Sequence, residues 1–205
     1  SLINTYWVRF NTRWFSHAQA VERTKVLFEA ARRAGVTRIV HVSITCPDAR
    51  SSLSYFRGKA VLEKELEGLG VPYSVLRPAV LFGEDPGEDI LINNMAWVLR
   101  HLPVVGLPGN GKYRLQPIHV RDLAALAVRE ALREDGKNNV VEAVGPETYT
   151  FYELFSMLGR VTGCRRPVLS VSPWIAYAAA CIMGIFHRDV MLTRDEIRGL
   201  MEDRL

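Results

Sequence analysis

Three short strand-like runs recur along this chain: Arg38–Ser43 (RIVHVS), rich in β-branched residues, Pro72–Arg77 (PYSVLR) and Asn138–Val144 (NNVVEAV). The first reads as a buried strand and the other two as strands. Stretches of helical periodicity separate them. Strands joined through crossover helices run parallel, and a parallel sheet needs helices on both sides. The alternation therefore predicts an α/β fold. Leu2–Trp7 reads as a further strand. His17–Ala34 carries Val21, Val26, Leu27, Ala30 and Ala31 at helical spacing and stops at Gly35, a C-cap residue. Ser54–Leu69, Ile90–Leu102 and Val120–Glu134 read as helices, as does Phe151–Val161 behind a Thr150 N-cap. Trp174–Phe186 and a segment from Thr193 to about Leu205, capped by Thr193, close the chain. Residues 1–85 and 116–146 are assigned to the sheet domain, and 86–115 and 147–205 to a smaller, mostly helical lobe.

Composition excludes several classes. With 48% apolar and 23% charged residues over 205 positions, the chain is globular. The net charge is +4, and no basic run exceeds Arg32-Arg33 or Arg165-Arg166. Nucleic-acid binding, which needs a clustered basic face, is not expected. Cys46, Cys164 and Cys181 are odd in number and lack CxxC spacing. That argues against disulfides or zinc and sets the expectation of a reducing, cytosolic location. His17, His41, His101, His119 and His187 are scattered without metal-binding spacing, so no metal is expected. Trp174–Phe186 falls short of the ~20 residues that span a bilayer. A buried lobe helix is its favoured reading, with contact at a membrane surface or partner as the alternative. Gly109-Asn110-Gly111-Lys112 lacks the phosphate-loop spacing and reads as a hairpin turn.

Chemistry centres on Tyr55-Phe56-Arg57-Gly58-Lys59. Tyrosine and lysine four apart on a helix share a face. An ammonium beside a phenol favours phenolate and brings proton transfer towards neutral pH. The strand end upstream, His41-Val42-Ser43-Ile44-Thr45, supplies two hydroxyls. Downstream follow Leu76-Arg77-Pro78-Ala79-Val80-Leu81-Phe82-Gly83 and Gln116-Pro117-Ile118-His119-Val120-Arg121-Asp122-Leu123-Ala124.

In that order, these four motifs resemble the extended and atypical branches of the short-chain dehydrogenase/reductase superfamily, which include NAD-dependent epimerases/dehydratases, NmrA-like proteins and complex I accessory-subunit-like proteins. The resemblance runs from Leu2 to about Gly145 and only loosely beyond. It implies a Rossmann-like doubly wound parallel sheet and NAD or NADP as cofactor. By that resemblance Tyr55 is the proton donor or acceptor and Lys59 the ribose anchor. Thr45 or Ser43 holds the substrate oxygen, with Thr45 favoured by its place at the strand end. Asn4, Thr5 and Tyr6 flank the nicotinamide, and Pro78, Ala79, Val80 and Leu81 form the opposite wall. His119 and Asp122 fall near the site as fold-stabilising residues, Asp122 as a first-turn helix charge.

The implied function is an NAD(P)-dependent oxidoreductase or epimerase/dehydratase acting on a hydroxyl or carbonyl substrate, a nucleotide sugar among the candidates. The alternative is a non-catalytic NADP(H)-binding assembly factor or redox-sensing regulatory subunit. A small-molecule substrate and a homodimer are the expected partners. Two departures stand out. Gln19-Ala20 occupies a place where several relatives carry asparagine, and no GxGxxG occurs in the chain. The chain therefore reads as the later two-thirds of such a fold, inactive alone, with its phosphate-binding loop absent.

Overall fold

The computed structural model describes residues 1–83, 90–187 and 197–199. In chain order the elements are β1 Leu2–Asn4, α1 His17–Arg33, β2 Ile39–Val42, α2 Ser54–Gly68, β3 Tyr73–Pro78, β4 Leu81–Phe82, α3 Ile90–His101, β5 Val105–Pro108, β6 Arg114–Leu115, β7 Ile118–His119, α4 Val120–Ala131, β8 Asn139–Ala143, β9 Tyr149–Thr150, α5 Phe151–Val161, β10 Val168–Val171 and α6 Pro173–His187. They form two compact units, Ser1–Ala79 with Ile118–Val144, and Val80–Pro117 with Gly145–Leu205.

The first unit is built on a four-stranded parallel sheet in the order β1-β2-β3-β8. Its two faces follow from the period-2 alternation of strand side chains. Ile39, Tyr73 and Val75 pack with Val21 and Phe28 of α1 and Leu62 and Leu66 of α2 in one apolar core. Ser74, one residue out of phase, points the other way and donates its hydroxyl to Glu130 of α4 at 2.9 Å. Helices therefore cover both faces, as the α/β reading requires. Burying a Leu- or Phe-sized side chain stabilises by about 1.5–3 kcal/mol, so this core dominates the unit's cohesion. The helix starts are encoded locally. Ser16 and Gln19 close a capping box on α1, and Gly35 ends it at φ +71. Gln19 is thereby committed to the helix start.

At the amino ends of the strands, Arg38 is 2% exposed yet fully met. It donates to the Arg133 and Lys137 carbonyls, the Ser74 hydroxyl and Asp135 at 2.9–3.1 Å. Glu130 completes the cluster, accepting from Ser74, Asn139 and Arg133. Burial pushes the Glu130 carboxyl up, but those hydrogen bonds outweigh it and its pKa is lowered.

In the second unit β5 pairs parallel with β10, and β6 antiparallel with β9. Met95, Leu99, Leu107, Tyr113, Phe151 and Phe155 belong to its core. α5 opens on a capping box, Thr150 with Glu153. Gly109–Lys112 is a turn, with Gly109 and Gly111 both at positive φ. It is not a hairpin, because β5 before it pairs with the distant β10. The helix over Pro173–His187 buries Ala180 but leaves Trp174, Ile175 and Ile182 exposed, so it is not the fully buried helix expected. The Thr193 cap lies outside the described residues.

Candidate active site at the carboxyl end of the sheet

The carboxyl ends of β1 and β2 and the first turns of α2 bring together four side chains from three sequence regions. Trp7 follows β1, His17 opens α1, and Tyr55 and Lys59 lie on α2. The Trp7 and His17 rings stack at 5.6 Å with an interplanar angle of 7°. Tyr55 meets both edge-on, at 5.6 Å from Trp7 and 5.5 Å from His17. His17 is fixed in turn, with Nδ1 at 2.8 Å from Ser54 Oγ and Nε2 at 3.4 Å from the Arg9 carbonyl. Because a carbonyl only accepts, Nε2 carries a ring hydrogen.

Lys59 sits beneath this aromatic group. Its Nζ donates to the Val42 carbonyl at 2.7 Å and lies 4.4 Å from the Trp7 ring centre, a cation–π distance. The residue is 2% exposed. Burial pulls its amine down to about 7, against the raising effect of Glu63. Gly58 makes the seat for the indole, since a Cβ there would stand 2.8 Å from Trp7 Cη2. Trp7 Nε1 is buried with no hydrogen-bond partner.

Other expected residues have different surroundings. Ser43 is buried and donates its hydroxyl to Glu63, whose carboxylate also receives Arg77 Nη2 at 2.7 Å. Thr45 is half-buried, its N–H donating to the Pro78 carbonyl at 3.3 Å. The next residue, Cys46, has φ 48, a left-handed conformation that non-glycine residues rarely adopt, so the chain turns sharply just after Thr45. Asn4 is buried, with Nδ2 at 2.9 Å from His41 Nδ1 and Oδ1 accepting from Tyr6 N at 3.1 Å. His41 is fully buried and its Nε2 has no partner. Burial, then the charge of Lys59, lowers its pKa to about 3. Thr5 and Tyr6 are exposed at the end of β1, and the Tyr6 hydroxyl lies 3.5 Å from Arg23 Nη1. Pro78 and Ala79 end the first unit, and Val80 and Leu81 open the second. His119 caps α4 by accepting from Arg121 N, and Asp122 lies in that helix's first turn. Among the described residues no group of acidic, histidine or cysteine side chains could hold a metal.

Sequence reasoning missed Trp7 and His17. The available signal was Gly58 itself, a glycine inside the reactive helix, which marks a close approach.

The matches agree with the resemblance seen in the motifs: the sequence relatives include complex I subunits, and the solved structures of similar fold include epimerases and a dehydratase. The particular relatives follow. Over 161 residues the chain is 28% identical to NADH dehydrogenase [ubiquinone] 1 alpha subcomplex subunit 9, mitochondrial, of Arabidopsis thaliana, covering 77% of this chain. Over 190 residues it is 28% identical to the NADH-ubiquinone oxidoreductase 40 kDa subunit, mitochondrial, of Neurospora crassa, covering 92%. It spans only 39% and 48% of these two relatives. Among solved structures, UDP-glucose 4-epimerase of Thermotoga maritima matches at TM-score 0.61 and 23% identity, over 76% of this chain and 58% of that one. Others of similar fold were solved with NAD. No family model matches. The cytosolic expectation is overturned, because both relatives are mitochondrial proteins. Unpaired cysteines report a reducing compartment, which the cytosol is not alone in being. No helix among the described residues is long and apolar enough to cross a membrane.

Proposed function

We propose that this chain carries the proton-transfer half of an NAD(P)-dependent oxidoreductase or epimerase/dehydratase site, acting on a hydroxyl or carbonyl substrate. The observation that carries it is Tyr55 and Lys59 on one helix face at the carboxyl end of a parallel sheet, where open α/β folds bind ligands. The residues fit one half of a dinucleotide. Thr5, Tyr6, Pro78 and Ala79 are of the kind that line the nicotinamide end, and Lys59 is the candidate ribose anchor. The chain holds no GxGxxG turn for the pyrophosphate. When bound, the nicotinamide supplies or accepts hydride. Tyr55 moves the proton at the substrate oxygen. Thr45 is the hydroxyl for holding that oxygen, since Ser43 is engaged by Glu63. Lys59, with its amine near neutrality, takes up or releases a proton in the working pH range.

The test is Tyr55→Phe in the natural full-length protein, assayed for NAD(P)H-linked turnover over a panel of carbonyl compounds and nucleotide sugars. General acid–base catalysis contributes about 10²–10⁴-fold, and a loss of that size is expected. Unchanged turnover removes the assignment.

A second reading has its own observation. Lys59 is covered by Trp7, so a ribose reaches the amine only if the indole moves. A subunit that binds NADP(H) without turnover would tolerate such a cover, and the two relatives are named as subunits. Stable co-purification with a protein partner, with cofactor bound but never oxidised, would select this reading.

A further inference from the structure

Trp14 and Phe15 stand at the tip of the connection between β1 and α1, 72% and 49% exposed. Their exposure is built rather than incidental. Thr12 Oγ1 accepts from the N–H groups of both, at 3.2 and 3.0 Å, and Thr12 N donates to the Phe15 carbonyl at 2.7 Å. A closed turn thus holds two large aromatic rings at the surface, where each forgoes part of the stabilisation that burial would return. Cations frame them. The Arg13 guanidinium lies 5.3 Å from the Trp14 ring and that of Arg23 lies 5.7 Å from Phe15. No Asp or Glu occurs before Glu22, so the first 21 residues carry arginine as their only charged side chains.

We propose that the Thr12–Phe15 turn docks the protein on an anionic lipid surface. Aromatic rings with one apolar body belong at the bilayer–water boundary, and each nearby arginine adds attraction to anionic headgroups. The alternative, a protein partner, is disfavoured by area. Two rings of about 150–250 Å² each fall well short of the roughly 800 Å² per side of a stable protein interface. A lipid surface needs only such a wedge and its cations. Nucleic acid would need a wider basic face than Arg13 and Arg23 provide. This inference does not depend on the chemistry assigned to Tyr55.

The experiment is co-sedimentation of the purified protein with vesicles of phosphatidylcholine alone and of phosphatidylcholine with phosphatidylglycerol in equal amounts. Binding is expected on the anionic vesicles only, weakening as salt rises. Replacing both rings, Trp14→Ser with Phe15→Ser, lowers the partition coefficient about tenfold or more. Arg13→Gln lowers it about fivefold, the worth of one cation near the surface. Trp174→Ser on the exposed face of α6 leaves it unchanged. Brominated lipid quenches the Trp14 share of the wild-type fluorescence, and that quenching is lost in Trp14→Phe, which keeps ring area and fold. The proposal is overturned by absent binding at millimolar lipid, by equal binding to neutral vesicles, or by binding that survives loss of both rings.

Discussion

The two ends of the parallel sheet in the first unit treat buried charge in opposite ways. At the amino end Arg38 is buried with its guanidinium bonded to four partners, and Glu130 accepts from three. At the carboxyl end polar atoms are left short. His41 Nε2 and Trp7 Nε1 have no partner, and the Lys59 amine makes one hydrogen bond under an indole. A buried polar group without a partner costs about 1–3 kcal/mol. One end is closed for stability, while the other keeps unmet groups where ligands bind in such folds.

Substitution should separate the ends. The largest effect belongs to Arg38→Met, which leaves the Arg133 and Lys137 carbonyls and Asp135 without their shared donor. Asp135 is 38% exposed and keeps Arg133, so the cost lies in the orphaned acceptors, about 1–3 kcal/mol for each that is buried, against the 5–15 kcal/mol typical of a folded domain. Urea unfolding measures it, and a loss under ~1 kcal/mol would erase the contrast.

Lys59→Met should act in the other direction. The amine's pKa is about 7 when folded against 10.5 as a free side chain. The unfolded chain therefore binds a proton that the folded one resists, and wild-type stability falls as pH drops from 10.5 to about 7, then levels off. Methionine removes that penalty. After allowing for the lost bond to Val42, the gain near pH 7 is on the order of 2 kcal/mol, shrinking towards zero by the alkaline end of the window. Unfolding midpoints across this range would show the convergence, and a variant less stable at pH 7 contradicts it.

Gly58→Ala has the smallest effect and the sharpest aim. Its Cβ would fall 2.8 Å from Trp7 Cη2 and 3.1 Å from Val21 Cγ2. Overpacking costs about 1–3 kcal/mol, and better helix propensity returns up to ~1 kcal/mol. The net loss is about 1 kcal/mol, accompanied by faster acylation of Lys59 as the indole is pushed aside. Acylation at the wild-type rate would mean that Trp7 does not guard the amine.

Much of the fold was legible because helix and strand periods are local. Phe151–Val161 coincides with its expected bounds, and the helices from His17 and Ser54 end within a residue or so of expectation. The strand Leu2–Trp7 was read too long, since pairing with β2 ends at Asn4 and Trp7 turns inward to Gly58. β5 and β10 went unread. Each is four residues long, and they pair across more than fifty positions of chain, which no local period announces. At the candidate site, the shared face of Tyr55 and Lys59 was legible from a spacing of four. The engagement of Ser43 by Glu63 was not, because it joins a strand end to a helix twenty residues later.

The sequence by itself determined the alternation of strands and helices, and from it a parallel sheet with a tyrosine and a lysine on one helix face. Only the tertiary structure decided what surrounds that lysine. Trp7 and Lys59 lie on different elements, and nothing in either segment predicts the contact. Packing placed the indole over the amine because Gly58 leaves room for it, and the resulting burial brings Lys59 near neutrality. Propensity and period act between neighbours in the chain, whereas desolvation and ring contact depend on which distant side chains the folded core brings together.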